Sequence, residues 1–308
     1  MSGSVSPEFP EDFIPESFLR DLRLAARRGE HAEVDQLLAD CEQTVGRGPF
    51  LAEAISWAAR AYQKKAFQME AVERARQAYA LGTQLLAAGH SLAPNHGTAS
   101  HLSIALGASI EVIAQITVEQ GNPQEAIRQL EEAYTRHREA PFAIRIRKNL
   151  LQLTLPGQPA LPLDLTPLKG TKAAKEPLFG DVPTLLFFWA HWCSDSRAQS
   201  RTLVEYLNKH PEAKFRFIAP TRCFGYITKG SAAKFEEEVA HIQEVLESDY
   251  QNLRKQSLTN GFPVPLSTEN LELYGVSTFP TLVLVDAEGI VQHYHPGAMK
   301  LEELEAKF

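Results

Sequence analysis

The sequence predicts an α-helical half followed by an α/β half, an α + α/β chain. Three observations carry that assignment. Up to about residue 153 the apolar residues recur at helical spacing between breaks marked by glycine and proline. Pro156-Gly157-Gln158-Pro159-Ala160-Leu161-Pro162 then interrupts the chain. Beyond it, short apolar and aromatic runs too brief for helices alternate with helical stretches. The length of 308 residues suits two domains, and 44% hydrophobic with 22% charged residues is ordinary for a globular protein. A net charge of −7 argues against a general nucleic-acid binder.

The elements follow in order. Residues 1–11 are rich in proline and acid and are expected to fray. From Asp12 the pattern is helical: Phe18, Leu19, Leu22 and Ala26 share a face, and Gly29 closes the segment. Val34, Leu37, Leu38 and Cys41 continue on a second helix, with Cys41 read as a buried core thiol. Gly46-Arg47-Gly48-Pro49 breaks the chain before helices over 50–65 and 67–88. A loop over 89–97 precedes a helix that is apolar almost all round, from Ile104 to Val118, and so belongs inside a bundle. Gly121-Asn122-Pro123 turns into a helix over 124–137, and a last helix runs from Ala140 to about Leu153. Glu70-Ala71-Val72 with Ala78-Tyr79 recurs as Glu125-Ala126-Ile127 with Ala133-Tyr134. That spacing exceeds the ~34 residues of a tetratricopeptide array, yet the Gly121–Tyr134 stretch resembles its turn and second helix. Residues 12–153 are therefore read as a tetratricopeptide-like antiparallel helical domain, either a plain scaffold or a groove for a protein partner.

In the second half, Leu163-Asp164-Leu165 reads as a short strand and 169–175 as a solvated basic loop. The run from Val182 to Ala190 is a buried central strand. It leads to Cys193, where Ser194-Asp195-Ser196 has helix-start character. Lys214–Ala219 alternates as a second strand, which brings Pro220-Thr221-Arg222-Cys223 to the same sheet edge as Cys193. Residues 231–255 read as one helix with Phe235, Val239, Ile242, Val245, Leu246 and Tyr250 on its apolar face. A short helix over 269–274, a hairpin of 281–286 and 290–295, and a terminal helix complete the chain.

Phe188-Trp189-Ala190-His191-Trp192-Cys193 resembles the thioredoxin superfamily, most closely its TlpA-like branch, whose pattern runs F-W-A-x-W-C-x-x-C. Gly275-Val276-Ser277-Thr278-Phe279-Pro280-Thr281 is similar to the motif leading into that family's cis-proline. The resemblance spans 156–308 and implies a thioredoxin fold with a helical insertion at about 224–262. It implies that Cys193 is the nucleophile, that Pro280 is cis and faces the sulfur, and that Trp192, Thr278 and Phe279 complete the substrate surface, the backbone before Pro280 staying free to pair with an extended substrate. One departure matters most: Ser196 stands where the second, resolving cysteine is expected. Phe187 also replaces the buried acid of dithiol thioredoxins.

A thiol at a helix start meets free N–H groups that favour the thiolate, while Asp195 opposes them, so a partly ionised thiol is expected near neutral pH. The hydroxyl of Ser196 can donate to that thiolate but cannot attack a disulfide. Release of a captured substrate then falls to a glutathione-type thiol, a substrate thiol, or Cys223 if its backbone comes near enough. His191, on a bend after a strand, reads as solvent-facing, with a thiolate–imidazole pair as the alternative. With three scattered cysteines, and His293 and His295 as an isolated pair read as packing, no metal and no cofactor is expected.

Two function classes follow. One is a thiol–disulfide oxidoreductase with a single active-site cysteine, acting on protein or peptide disulfides. The other is a redox-inactive thioredoxin-fold binding protein that holds a partner through its helices. A serine at 196 has two possible histories, natural loss of the cysteine or replacement to trap a mixed disulfide. MSGSVSPEFPEDF has neither a basic n-region nor an apolar h-region, so a cytoplasmic chain or a trimmed mature form is expected, whereas the resemblance implies export. No apolar run approaches the roughly 18 residues needed to span a bilayer, so no transmembrane segment is expected.

Overall fold

The computed structural model describes residues 17–93, 100–171, 173, 178–180, 182–213, 215–228, 231–256 and 261–307. The expected frayed start and residues 172, 174 and 175 of the basic loop over 169–175 lie outside these residues. The chain forms two compact units, Met1–Asn149 and Leu150–Phe308.

The first unit is helical: α1 (Phe18–Arg28), α2 (His31–Val45), α3 (Pro49–Gln63), α4 (Gln68–Ala87), α5 (His101–Glu119), α6 (Pro123–Arg136) and the start of α7 (Ala143–Thr154). Gly29, at φ 72, ends α1 in the left-handed conformation that glycine adopts without steric penalty. Each helix packs on its successor from α1 to α6, and α3 also packs on α1 and α5. Cys41 is buried in this core, and burial with the neighbouring Glu42 pushes its thiol up to about 11.

Contrary to the sequence expectation, α5 is long and apolar enough to cross a membrane by length and composition alone, although Ser103, Ser109 and Glu111 interrupt it. Here 61% of its most apolar window is buried, against α3, α4 and α6. Glu111 is buried beside Lys148 and takes a 3.2 Å hydrogen bond from Asn149. Burial pushes the Glu111 carboxyl up, but Lys148, Arg145 and Arg60 outweigh it and hold the carboxyl below its usual range.

The second unit is built on a four-stranded sheet, order β2-β1-β3-β4, from β1 (Thr184–Phe188), β2 (Arg216–Ile218), β3 (Thr281–Val285) and β4 (Val291–Pro296). β1 runs parallel to β2 and antiparallel to β3, which pairs antiparallel with β4. Every residue of β1 and β3 is buried, as central strands covered on both faces require. Leu185, Phe187 and Trp189 point into one core with Leu203, Tyr206 and Leu246, whereas Leu186 and Phe188 point into the other with Tyr274 and Tyr294. The helices are α8 (Ser194–Lys209), α9 (Phe235–Asp249), α10 (Gln251–Gln256), α11 (Thr268–Leu273) and α12 (Leu301–Lys307).

Three expectations are corrected. Residues 163–165 form no strand; the Asn270 side-chain amide instead bonds both the N–H and the C=O of Asp164, at 2.7 and 2.8 Å. The single helix expected over 231–255 is two, separated at Tyr250. Phe235 does not join its apolar face but is 59% exposed, because it opens α9 and the buried face starts a turn later.

Candidate functional site

The site is assembled where β1 ends. Trp189, fully buried, donates its indole N–H to Ala219 O at 3.1 Å, and Thr221 Oγ1 donates to Trp189 O at 2.8 Å. These bonds hold the chain leaving β2 beside the chain leaving β1. Cys193 is the N-cap of α8, with extended backbone at φ −86 and ψ 113. It is 8% exposed, and its thiol donates to Phe279 O at 3.5 Å. The Phe279–Pro280 peptide bond is cis. The structure thus brings Cys193, Phe279 and Pro280 together.

Ser196 is fully buried, and its hydroxyl has no hydrogen-bond partner among the described residues. The expected bond to the Cys193 sulfur is therefore absent, since Ser196 turns inward while the sulfur faces the loop before Pro280. Behind the pair, the Tyr250 ring lies 4.6 Å from Trp189 and 6.0 Å from Phe187. Its hydroxyl also lacks a partner, and burial, then the Cys193 charge, pushes its phenol far above the usual range.

His191 corrects the sequence reading. It is 1% exposed rather than solvent-facing, because the segment after β2 folds over it. Its Nε2–H donates to Tyr226 O at 2.9 Å, so Nδ1 is bare and stands 3.8 Å from Glu238 Oε1 without a hydrogen bond. Burial holds the His191 pKa below its ordinary value despite Glu238. Glu238, also 1% exposed, accepts from Phe224 N at 2.5 Å and Gly225 N at 2.8 Å. Asp195 is exposed in the first turn of α8, where a carboxylate complements the helix dipole.

Trp192 is 40% exposed and meets the Phe279 ring edge-on at 5.8 Å. Thr278 and Phe279 are half-buried. The backbone expected to be free for an extended substrate is partly engaged: Thr278 O accepts from Thr281 Oγ1 at 2.7 Å and Phe279 O from Cys193. Cys223 is free, as is Cys193, so no disulfide links them. Cys223 packs on the core that contains Leu246, and burial with Glu238 pushes its thiol up to about 11. Among the described residues no group of three or more His, Cys, Asp or Glu could hold a metal. The His293 and His295 rings stack at 5.7 Å on β4.

Sequence reasoning missed Glu238, Phe224, Tyr226 and Tyr250 as parts of this region. Glu238 ends the Glu236-Glu237-Glu238 run, which reads as a solvated helix start. Two aromatics flanking Gly225 just past a strand end were the available signal for Phe224 and Tyr226, and Tyr250 reads in the sequence only as part of a helix's apolar face.

A family model described as a thioredoxin-like domain matches residues 172–308. The thioredoxin-like protein YneN of Bacillus subtilis (strain 168) is 29% identical over 152 residues, 49% of this chain and 77% of that protein. Similar solved structures include StoA from Bacillus subtilis, 19% identical with a TM-score of 0.34, covering 49% of this chain and 98% of that one. Another is the exposed lipoprotein thioredoxin Etrx1 from Streptococcus pneumoniae strain TIGR4, 24% identical with a TM-score of 0.34, covering 47% and 95%. The C-terminal half of the chain carries a thioredoxin-like domain, and the N-terminal region is helical.

Proposed function

We propose that the protein is a thiol–disulfide oxidoreductase that works through the single thiol of Cys193. The observation that carries this reading is the Cys193 sulfur at the start of α8, 3.5 Å from the carbonyl that precedes the cis-proline, with serine at 196. The thiolate attacks one sulfur of a substrate disulfide. A new S–S bond forms to Cys193, and the other substrate sulfur leaves with the electron pair and takes a proton. Losing the thiol proton also ends the bond to Phe279 O and releases that carbonyl for an extended substrate backbone.

Ser196 offers no second sulfur, so the mixed disulfide waits for an outside thiol. Cys223 is a poor substitute, since a thiol held up to about 11 is almost wholly protonated at neutral pH. A glutathione-type or substrate thiolate fills that role by attacking the mixed disulfide and freeing Cys193. Export, implied by the family resemblance, belongs to the same reading, and cell fractionation tests it.

A second reading, partner binding by the helical unit, is favoured by a cavity of about 400 Å³ lined by Leu38, Leu51 and Ile55 with Arg47 and Arg74. The tetratricopeptide-like domain would then hold a protein partner while Cys193 traps a thiol.

Insulin disulfide reduction with added glutathione separates the readings, measured for the wild type, Cys193→Ala and Ser196→Cys. Turnover by the wild type that Cys193→Ala abolishes supports the single-thiol enzyme. An inert wild type that Ser196→Cys activates supports the trap. Inactivity of all three overturns the redox reading.

A further inference from the structure

Two buried ionisable side chains in the second unit are committed to the backbone of one short segment. Glu238 accepts from the N–H groups of Phe224 and Gly225, and His191 donates to the carbonyl of Tyr226. Taking a carboxylate and an imidazole out of water is unfavourable unless they are hydrogen-bonded, and here those bonds run to the backbone of this segment. What they hold is a pair of rings. Phe224 lies 5.6 Å from Trp192 and 5.5 Å from Phe279, edge-on to both. Tyr226 lies 6.3 Å from Trp192 and 6.2 Å from Phe224.

Four rings from three separate segments therefore form one cluster, and one of them belongs to Phe279, whose carbonyl accepts from the Cys193 thiol. Trp192 precedes Cys193 in the chain, and Phe279 supplies the carbonyl that the sulfur touches. Phe224 and Tyr226 are half-buried and Trp192 is exposed, so the cluster reaches the surface instead of closing into a core. Among the described residues one cation stacks on it: Arg222 lies over the Phe224 ring at 5.0 Å.

We propose that Phe224 and Tyr226 determine substrate specificity: the ring cluster receives an aromatic or large apolar side chain next to the reactive cysteine of a peptide or protein disulfide. Glu238 is the positioning residue that sets the two rings. The inference rests on Cys193 being the nucleophile. Edge-on and offset ring contacts stabilise beyond the area they bury, so the bound side chain adds to the rate of mixed-disulfide formation about 10-fold or more.

The test uses the full chain and two peptides, alike except for Phe or Gly before a single cysteine, each carried as a mixed disulfide with 2-nitro-5-thiobenzoate. Attack by Cys193 on the peptide sulfur joins peptide to protein and releases the coloured thiolate with the electron pair. The release rate gives a rate constant, and the adduct mass identifies the residue modified. The expected wild-type preference is about 10-fold or more for the Phe peptide. Phe224→Ala with Tyr226→Ala brings the ratio close to one, and Phe224→Leu keeps part of it. Glu238→Ala lowers the ratio as well, and Glu238→Gln, which retains an acceptor oxygen, restores part of it. Fast Cys193-dependent release with equal rates for the two peptides overturns this inference alone, as does a preference that survives the double alanine variant. Release no faster than in Cys193→Ser overturns both this inference and the proposed function beneath it.

Discussion

Replacing Ser196 by alanine is expected to stabilise the thioredoxin-like unit. The Ser196 side chain is fully buried, and its hydroxyl meets no hydrogen-bond partner among the described residues. A buried hydroxyl left unbonded costs about 1–3 kcal/mol relative to leaving it in water. Alanine keeps the Cβ, removes the unbonded group, and is the stronger helix former by up to about 0.5 kcal/mol. The small void left by the oxygen offsets part of the gain, so the net expectation is about 1–2 kcal/mol. For a unit of this size that raises the melting temperature by about 2–8 °C. Differential scanning calorimetry under reducing conditions, on wild type and Ser196→Ala, measures it. A loss of about 1 kcal/mol or more would refute the reasoning, because it would show the hydroxyl to be bonded in the folded protein. The same logic makes position 196 tolerant of cysteine, whose thiol behaves as a small apolar group when buried.

Cys223 should react with iodoacetamide about 100-fold more slowly at pH 7 in the folded protein than after denaturation, because its thiol is pushed up to about 11; equal labelling by peptide mass spectrometry would contradict this. Burial holds His191 below the ordinary imidazole value of 6.5 in the folded state, so the folded protein binds fewer protons there than the unfolded chain. Its contribution is fully present above pH 6.5 and is lost as pH falls from there towards the folded pKa. The urea midpoint should therefore drop more steeply between pH 7 and pH 5 in the wild type than in His191→Asn, and parallel curves would rule the effect out. Lys148→Met removes the nearest cation from the buried Glu111, leaving Arg145 at 3.8 Å and the hydrogen bond from Asn149 at 3.2 Å, so a loss of about 3 kcal/mol is expected from urea unfolding. Adding Glu111→Leu to that variant should recover much of the loss; no recovery would show that packing, not the uncompensated carboxylate, carries the effect.

Local signals by themselves determined a good deal about this chain. Helical spacing of apolar residues, glycine at helix ends and short aromatic runs are periodic or punctuating features, and they marked α1 to α7 and the strand that leads to Cys193. The same signals were blind where the backbone was satisfied by a distant side chain. Residues 163–165 carry strand-like composition, but Asn270 supplies the bonds that a neighbouring strand would have made. Burial of charge was equally hidden, since Glu238 looks like any acidic helix start until the 224–226 segment lies against it. Tertiary structure alone decided that His191 turns inward, that the Ser196 hydroxyl goes unbonded, and that Phe224 and Tyr226 stand beside Trp192. The physical reason is that these contacts join residues far apart in the chain, and a hydrogen bond across such a separation leaves no spacing pattern in the sequence to be read.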